Sequence, residues 1–346
     1  MFVSLTKFDD NIPISLKNKS VTFNGTATLS QAANNSFRGD KSQTDKKSSQ
    51  HPFRKLGILF AGALAAIYAI GVGVRLHYKT NIHNLALELS EVFRRDVSES
   101  EARQIANKYK DLFKINNAED FIKKSYEQIK KDYGYEKAEV PLNIEYKGKY
   151  YFLKHPFKNV YGGGFNNSEN WIKIAAFCNE GGKISKAEKS LVFQTLFHEL
   201  KHMEQSHLCY LKDKDKFFKE LIKNSKSNGQ KFNIMEEHSL KKSLKANYNN
   251  AYKNVPEKDV NKYSGIIDKY IENAGNYKDP KTFKMKEYKE QILEKDARKA
   301  GKTAGKIIFI DKNPLYLPKA PIPIGLAGLS AGCFITDGIT SINNNH

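Results

Sequence analysis

The sequence predicts an α+β fold, in which a small twisted sheet leads into an apolar helix and a mainly helical remainder, with an N-terminal transmembrane helix ahead of them. Three observations carry this reading. Stretches rich in aromatic and β-branched residues lie between positions 141 and 177. An apolar helical period then runs through Leu191, Val192, Leu196, Phe197 and Leu200, and holds the run His198-Glu199-Leu200-Lys201-His202. Far upstream, Leu56 to Val74 is nineteen residues without a charge.

The N-terminal part is read from composition. Residues 1–50 are rich in Ser, Asn, Lys and Thr with little apolar periodicity, so they are expected to be disordered. Phe2 to Leu5 is too short an apolar run for a signal peptide. As a helix, the uncharged run would reach ~28 Å, close to the ~30 Å of a bilayer's hydrocarbon. Residues 56–76 are therefore expected to cross a membrane and to localise the chain there. Gly57, Ala61, Ala65, Ala69 and Gly73 form a row of small residues four apart, which predicts a close helix partner. That partner is either a second copy of the chain, giving a homo-oligomer, or the uncharged run 320–336. The latter carries Pro321, Pro323, Gly325, Gly328 and Gly332 and reads as a second span, an interfacial segment or a packing tail. Lysines and arginines flank both ends of the first run, so orientation stays open.

Residues 77–310 form the expected folded domain. Ser98 with Glu101 opens a helix to Ile115, and Asn117 caps another to Tyr133. Pro141–Lys147 and Lys149–Lys154 read as a strand pair around Gly148, Tyr161–Phe165 as a flexible break, and Asn170–Phe177 as a further strand. Ser185 and Glu188 start the next helix as a capping box, and it continues through Leu208. Later helices are expected around 214–224, 233–249 and 257–275. A last one starts at Asp279-Pro280 and stops at Gly301.

Residues four apart on a helix sit about 40° apart in azimuth and one turn apart along it. His198 and His202 can therefore aim both imidazoles at one point, as a tetrahedral zinc requires. Glu199 lies on the flank of that face, placed to take a proton from a metal-bound water. A third ligand must come from elsewhere. His207 lies about 140° round the helix from His202, which turns it away. On the last helix Glu290 and Glu294 stand one turn apart, and at this point either could be the third ligand.

The pentamer resembles the HExxH motif of zincin metallopeptidases. Glu294-x-Asp296-Ala297, with a Tyr upstream, resembles the Glu-x-x-Ala element that supplies the third ligand in gluzincin-like members. The resemblance covers about residues 140–301. It implies a membrane-anchored zinc endopeptidase that cleaves a peptide or protein substrate. In it His198, His202 and Glu294 bind Zn²⁺, Glu199 is the general base, and Tyr288 or His238 steadies the oxyanion. It also implies that an extended substrate adds to the edge of the sheet, with Trp171–Phe177 as the strand nearest the site. The alternative is a catalytically degenerate zincin serving as a membrane-tethered interaction or regulatory module. Retention of Glu199 argues against that, since a purely structural site has no use for the carboxylate.

The net charge of +19 raises nucleic acid as a partner, yet Lys outnumbers Arg 50 to 7 and base reading leans on bidentate Arg. The lysines alternate with acids along helices, so nucleic-acid binding is not expected and an anionic lipid surface is the preferred partner. The three cysteines, Cys178, Cys209 and Cys333, have no disulfide or zinc-ligand spacing.

Overall fold

A computed structural model of the protein describes residues 3–7, 58–62, 65, 80–148, 161–279 and 284–310. The chain divides into two units, Met1–Asp9 with Tyr78–Asp311, and Asp10–His77 with Lys312–His346. In the first unit the elements are β1 (Val3–Lys7), α1 (Ile82–Phe93), α2 (Glu99–Leu112), α3 (Ala118–Asp132), β2 (Leu142–Tyr146), β3 (Tyr161–Asn166), β4 (Trp171–Ala176), α4 (Lys186–Ser227), α5 (Ile234–Tyr252), α6 (Ser264–Gly275), α7 (Met285–Glu290) and α8 (Ile292–Phe309). This unit is mostly helical, with one small sheet in the order β1-β3-β4-β2. β3 pairs antiparallel with both β1 and β4, while β2 and β4 run parallel.

In the second unit, residues 58–62 and 65 are helical. The transmembrane helix expected over 56–76, and the membrane localisation drawn from it, require correction. Among the described residues no helix is long and apolar enough to cross a membrane. The sequence reading rested on composition, and no described helix combines the length and the apolar character that a crossing needs. The rest of 56–76, the run 320–336 and the pairing proposed between them lie outside the described residues. Within the segment expected to be disordered, Val3–Lys7 is a strand; residues 8–50 are not described.

The helix starts follow from side-chain caps. Asn81, Ser98, Asn117, Ser185 and Asn233 each accept a backbone N–H near the start of α1, α2, α3, α4 and α5, removing one unsatisfied donor at each start. Asn233 and Glu236 complete a full capping box. α4 runs beyond the expected Leu208 and kinks at Asp213, whose φ of −155° and ψ of 84° are not helical. The helix expected from Asp279 to Gly301 is instead broken at Gln291, an extended residue between α7 and α8. The Gln291 amide donates to the carbonyls of Lys278 and Tyr288 at 3.0 and 3.2 Å and accepts from the Lys278 N–H at 2.7 Å. These bonds offset the helical ones lost at the break. Gly301 does not end its helix, which continues to Phe309.

α4 is the centre of this unit. From Leu191 to Cys209 all but Gln194 are buried, including His198, Glu199, Lys201, His202 and Gln205. An aromatic cluster packs one side of it. Tyr109 meets Phe193 edge-on at 4.8 Å, Phe193 meets Phe197 at 5.1 Å, and Phe93 meets Tyr133 at 4.9 Å. The Tyr133 hydroxyl donates to the Phe197 carbonyl, fixing α4 to the end of α3 one residue before His198. On another side α8 packs through small residues. A side chain at Gly301 would put its Cβ 3.1 Å from the Gln194 carbonyl oxygen and 3.8 Å from His198 Cβ. Gly301 and the fully buried Ala297 and Ala300 therefore let α8 approach the histidine-bearing turn closely.

The sheet covers a further side, and the glycine run 162–164 is a strand where a flexible break was expected. The glycines serve close approach. A Cβ on Gly163 would lie 2.7 Å from Thr195 Cγ2 and 2.9 Å from the Lys173 carbonyl oxygen. β4, expected nearest the site at the edge, is internal to the sheet. β2 pairs parallel with β4, and 149–154, its expected partner, lies outside the described residues.

Gly163→Ala is expected to cost on the order of 1–3 kcal/mol through overpacking, read as a lower urea midpoint at unchanged slope. Thr195→Ser in the same chain removes Cγ2 and should recover part of the loss. An unchanged midpoint in Gly163→Ala would contradict the close approach of β3 to α4.

Candidate metal centre

Three side chains converge between α4 and α8. His198 and His202 come from successive turns of α4, and Glu294 from the first turn of α8. His198 Nε2 and His202 Nε2 are 3.0 Å apart. Glu294 Oε2 lies 3.5 Å from His198 Nε2, and Oε1 lies 3.3 Å from His202 Nε2. All three residues are buried, and their ligand atoms lie within 4.8 Å of one another. Ligands at ~2.0–2.1 Å from one tetrahedral ion stand roughly 3.4 Å from each other, so the donor set and its spacing fit a small divalent metal ion. Among the described residues this is the group of His, Cys, Asp and Glu side chains able to hold a metal. Glu290, the alternative third ligand, is exposed on α7 and faces Lys286 at 3.9 Å.

The electrostatics suit a cation. Burial, offset in part by Glu294, lowers the His198 pKa to about 4, so the ring is neutral at pH 7 with a lone pair to offer. Burial alone would raise the Glu294 carboxyl, but the facing His202 and His198 hold it well below the ordinary carboxylate range. The ionised Glu294 carboxylate and the neutral His198 ring are donors suited to a cation. The Tyr277 hydroxyl donates to Glu294 Oε1 at 2.5 Å, and Tyr288 hydrogen-bonds the same carboxylate. The two tyrosine rings meet edge-on at 6.1 Å.

A second layer orients the ligands. His202 Nδ1 is 2.9 Å from Gln205 Oε1, an oxygen that only accepts, so Nδ1 carries the N–H of that contact while Nε2 faces Glu294. The Gln205 amide donates to the Leu293 carbonyl at 3.1 Å and to Asp296 Oδ2 at 3.2 Å. One side chain thus ties the second histidine to the turn that bears the carboxylate. Asp296 also accepts from the Tyr270 hydroxyl at 2.6 Å and from Arg94 at 3.1 Å. Lys201 donates to Glu204 at 2.5 Å and to the Val92 carbonyl at 2.7 Å. Arg94, Lys201, Glu204 and Asp296 make a charge-balanced cluster on the side of α4 next to the ligands.

The remaining candidates are also placed. Glu199 is fully buried one residue after His198, and its charge reaches the Tyr288 hydroxyl. Tyr288 lies at the site, while His238 is exposed on α5 and does not. His207 points away from the ligands; it stacks on Tyr252 at 4.0 Å and hydrogen-bonds Tyr135 at 3.0 Å. Cys178 and Cys209 are free and buried, and burial pushes the Cys178 thiol up to about 11, away from the thiolate a metal needs. Gln205, Tyr277 and Arg94 were not anticipated. Gln205 was open to anticipation, since it stands three residues after His202 on the same helical face. Tyr277 and Arg94 arrive from distant segments with no local signal.

No family model matches the chain, and no curated protein or solved structure does either. The site therefore rests on its own geometry.

Gln205→Ala should weaken zinc affinity by about 10–100-fold with the fold intact, measured by competition with a chromogenic chelator. Unchanged affinity would show that Gln205 does not orient His202. A second expectation concerns acid. Burial, reinforced by Lys258, lowers the His207 pKa from 6.5 to about 3. Between those values the unfolded chain binds a proton that the folded chain refuses. The stability is fully present above pH 6.5 and is lost as pH falls toward 3, at about 1.4 kcal/mol per pH unit. Urea unfolding from pH 7 to 4 should show a slope shallower by about that amount in His207→Phe. Equal slopes would mean that His207 titrates normally in the fold.

Proposed function

We propose that the chain is a zinc-dependent metallopeptidase of the zincin type. The observation that carries the reading is the buried triangle of His198, His202 and Glu294, with Glu199 beside it on the same helix. A site that only binds its ion has no use for a further carboxylate that does not ligate it; the adjacent buried Glu199 is what hydrolysis adds. His198, His202 and Glu294 would hold the ion, leaving a coordination position for water, as catalytic zinc sites do. When bound, the metal supplies a Lewis acid that polarises the scissile carbonyl and acidifies the attacking water. Glu199 takes the proton of that water and passes it to the departing amine. Of Tyr288 and His238, Tyr288 would steady the oxyanion, because its hydroxyl lies beside Glu294 while His238 is exposed on α5. Tyr277 and Gln205 hold Glu294 and His202 in position and touch no substrate.

One observation favours a second reading. The His198 and His202 side chains are 3% and 2% exposed and Glu294 is 0% exposed, as befits a metal site that binds without catalysing. A metal-binding domain that serves as an interaction or regulatory module would need no access to its ion.

Glu199→Gln separates the two. The variant should keep its zinc and lose about 10²–10⁴ in hydrolysis rate against a fluorogenic peptide library. Hydrolysis at the wild-type rate would remove Glu199 from the chemistry. Zinc bound by wild type and variant alike, with no hydrolysis by either, would favour the non-catalytic domain.

A further inference from the structure

We propose that the cavity beside His202 is a binding site for one water molecule, held by Asn167, and that this water steadies the His202 ring. The water site stands on its own geometry; its consequence rests on the metal centre.

The cavity lies among α4, α6, the first turn of α8 and the turn from β3 to β4. Asn167, Gln205, Ser206 and Tyr270 bring polar groups to its wall, beside His202 and Phe217. Every one of these residues is buried. About 10 Å³ is left for the centre of a water molecule. One water needs roughly 10–15 Å³ by that measure, together with two to four polar partners, so the space suits a single water and nothing larger.

Asn167 is the group that calls for the ligand. It is 1% exposed, and no described residue donates a hydrogen bond to its Oδ1. A buried acceptor without a donor forfeits the bonds it made to solvent, and folded proteins satisfy such groups with ordered water. Asn167 is not placed to turn outward for relief, because the turn around it is tied down. Asn166 Oδ1 accepts the N–H groups of Ser168 and Glu169 at 2.9 and 3.2 Å. From α5, Asn247 donates to the Ser168 carbonyl at 2.8 Å and the Tyr252 hydroxyl to Asn170 Oδ1 at 3.2 Å.

Gln205 connects this site to the metal. Its Oε1 accepts from His202 Nδ1 at 2.9 Å, and an amide oxygen has a second lone pair to offer. A water gives one hydrogen to Asn167 and the other to Gln205, and the Ser206 hydroxyl is a third partner on the same wall. The turn after β3 then supports His202 through the water and Gln205, one layer further out than the contacts that hold the ring directly.

The test compares full-length wild type with full-length Asn167→Leu and Ala274→Val. Leu nearly matches Asn in size and shape but accepts no hydrogen bond. Ala274, on α6, also lines the cavity, so Val there takes up the space and leaves Asn167 in place. Two quantities are read: the number of long-lived internal waters, from oxygen-17 magnetic relaxation dispersion, and zinc affinity, by competition with a chromogenic chelator. Each variant should hold one long-lived water fewer than wild type and bind zinc about tenfold more weakly. If one variant does not fold, the other carries the comparison. Crystals of the wild type should show a water within about 3.2 Å of Asn167 Oδ1. Equal water counts in wild type and variants, or no water at that oxygen, overturn the site. A lost water with unchanged zinc affinity overturns its role at His202. A wild type that binds no zinc removes the metal centre, and the water counts then decide the site alone.

Discussion

Glu294 is a carboxylate with no exposure to water, and its ionised state governs the arrangement around it. An unpaired buried charge costs several kcal/mol, so a fold that hides one must surround it with partners. Two imidazoles from α4 and two tyrosine hydroxyls surround this one. The break at Gln291 starts α8 where its first turn, the positive end of the helix dipole, holds the carboxylate. Small residues along α8 then let that turn come close to α4. The caps, the glycines and the broken helix all contribute to one convergence.

The sequence exposed the site better than the scaffold. The convergence of His198 and His202 was legible because helical periodicity turns spacing into direction, and Glu294 entered through the resemblance of Glu294-x-Asp296-Ala297 to a known third-ligand element. Glu290 shared the reading until the Gln291 break, which depends on hydrogen bonds to Lys278 and Tyr288, put it on another helix. The glycine run at 162–164 was misjudged for a similar reason. Missing side chains signal flexibility in isolation, yet beside Thr195 they signal contact.

The second layer explains how a short ligand set acquires a defined geometry. Gln205 binds His202 on one side and the backbone before Glu294 on the other, so the two ligands move as one body. Asp296, two residues after Glu294, anchors the same turn to Tyr270 and Arg94. Breaking such a buried network by removing one partner costs about 3–5 kcal/mol, more than a surface pair contributes. The same rigidity serves a catalytic ion and a purely structural one. For that reason the functional argument turns on Glu199.

The central claim is that these three side chains bind one metal ion. Native mass spectrometry of the full-length protein, after equilibration with zinc and desalting, tests it most directly, with Glu294→Ala and Glu290→Ala compared under the same conditions. The structure predicts about one ion per chain in the wild type, the same in Glu290→Ala, and little or none in Glu294→Ala. Full occupancy in Glu294→Ala, or a wild-type chain that retains no metal, would contradict the assignment.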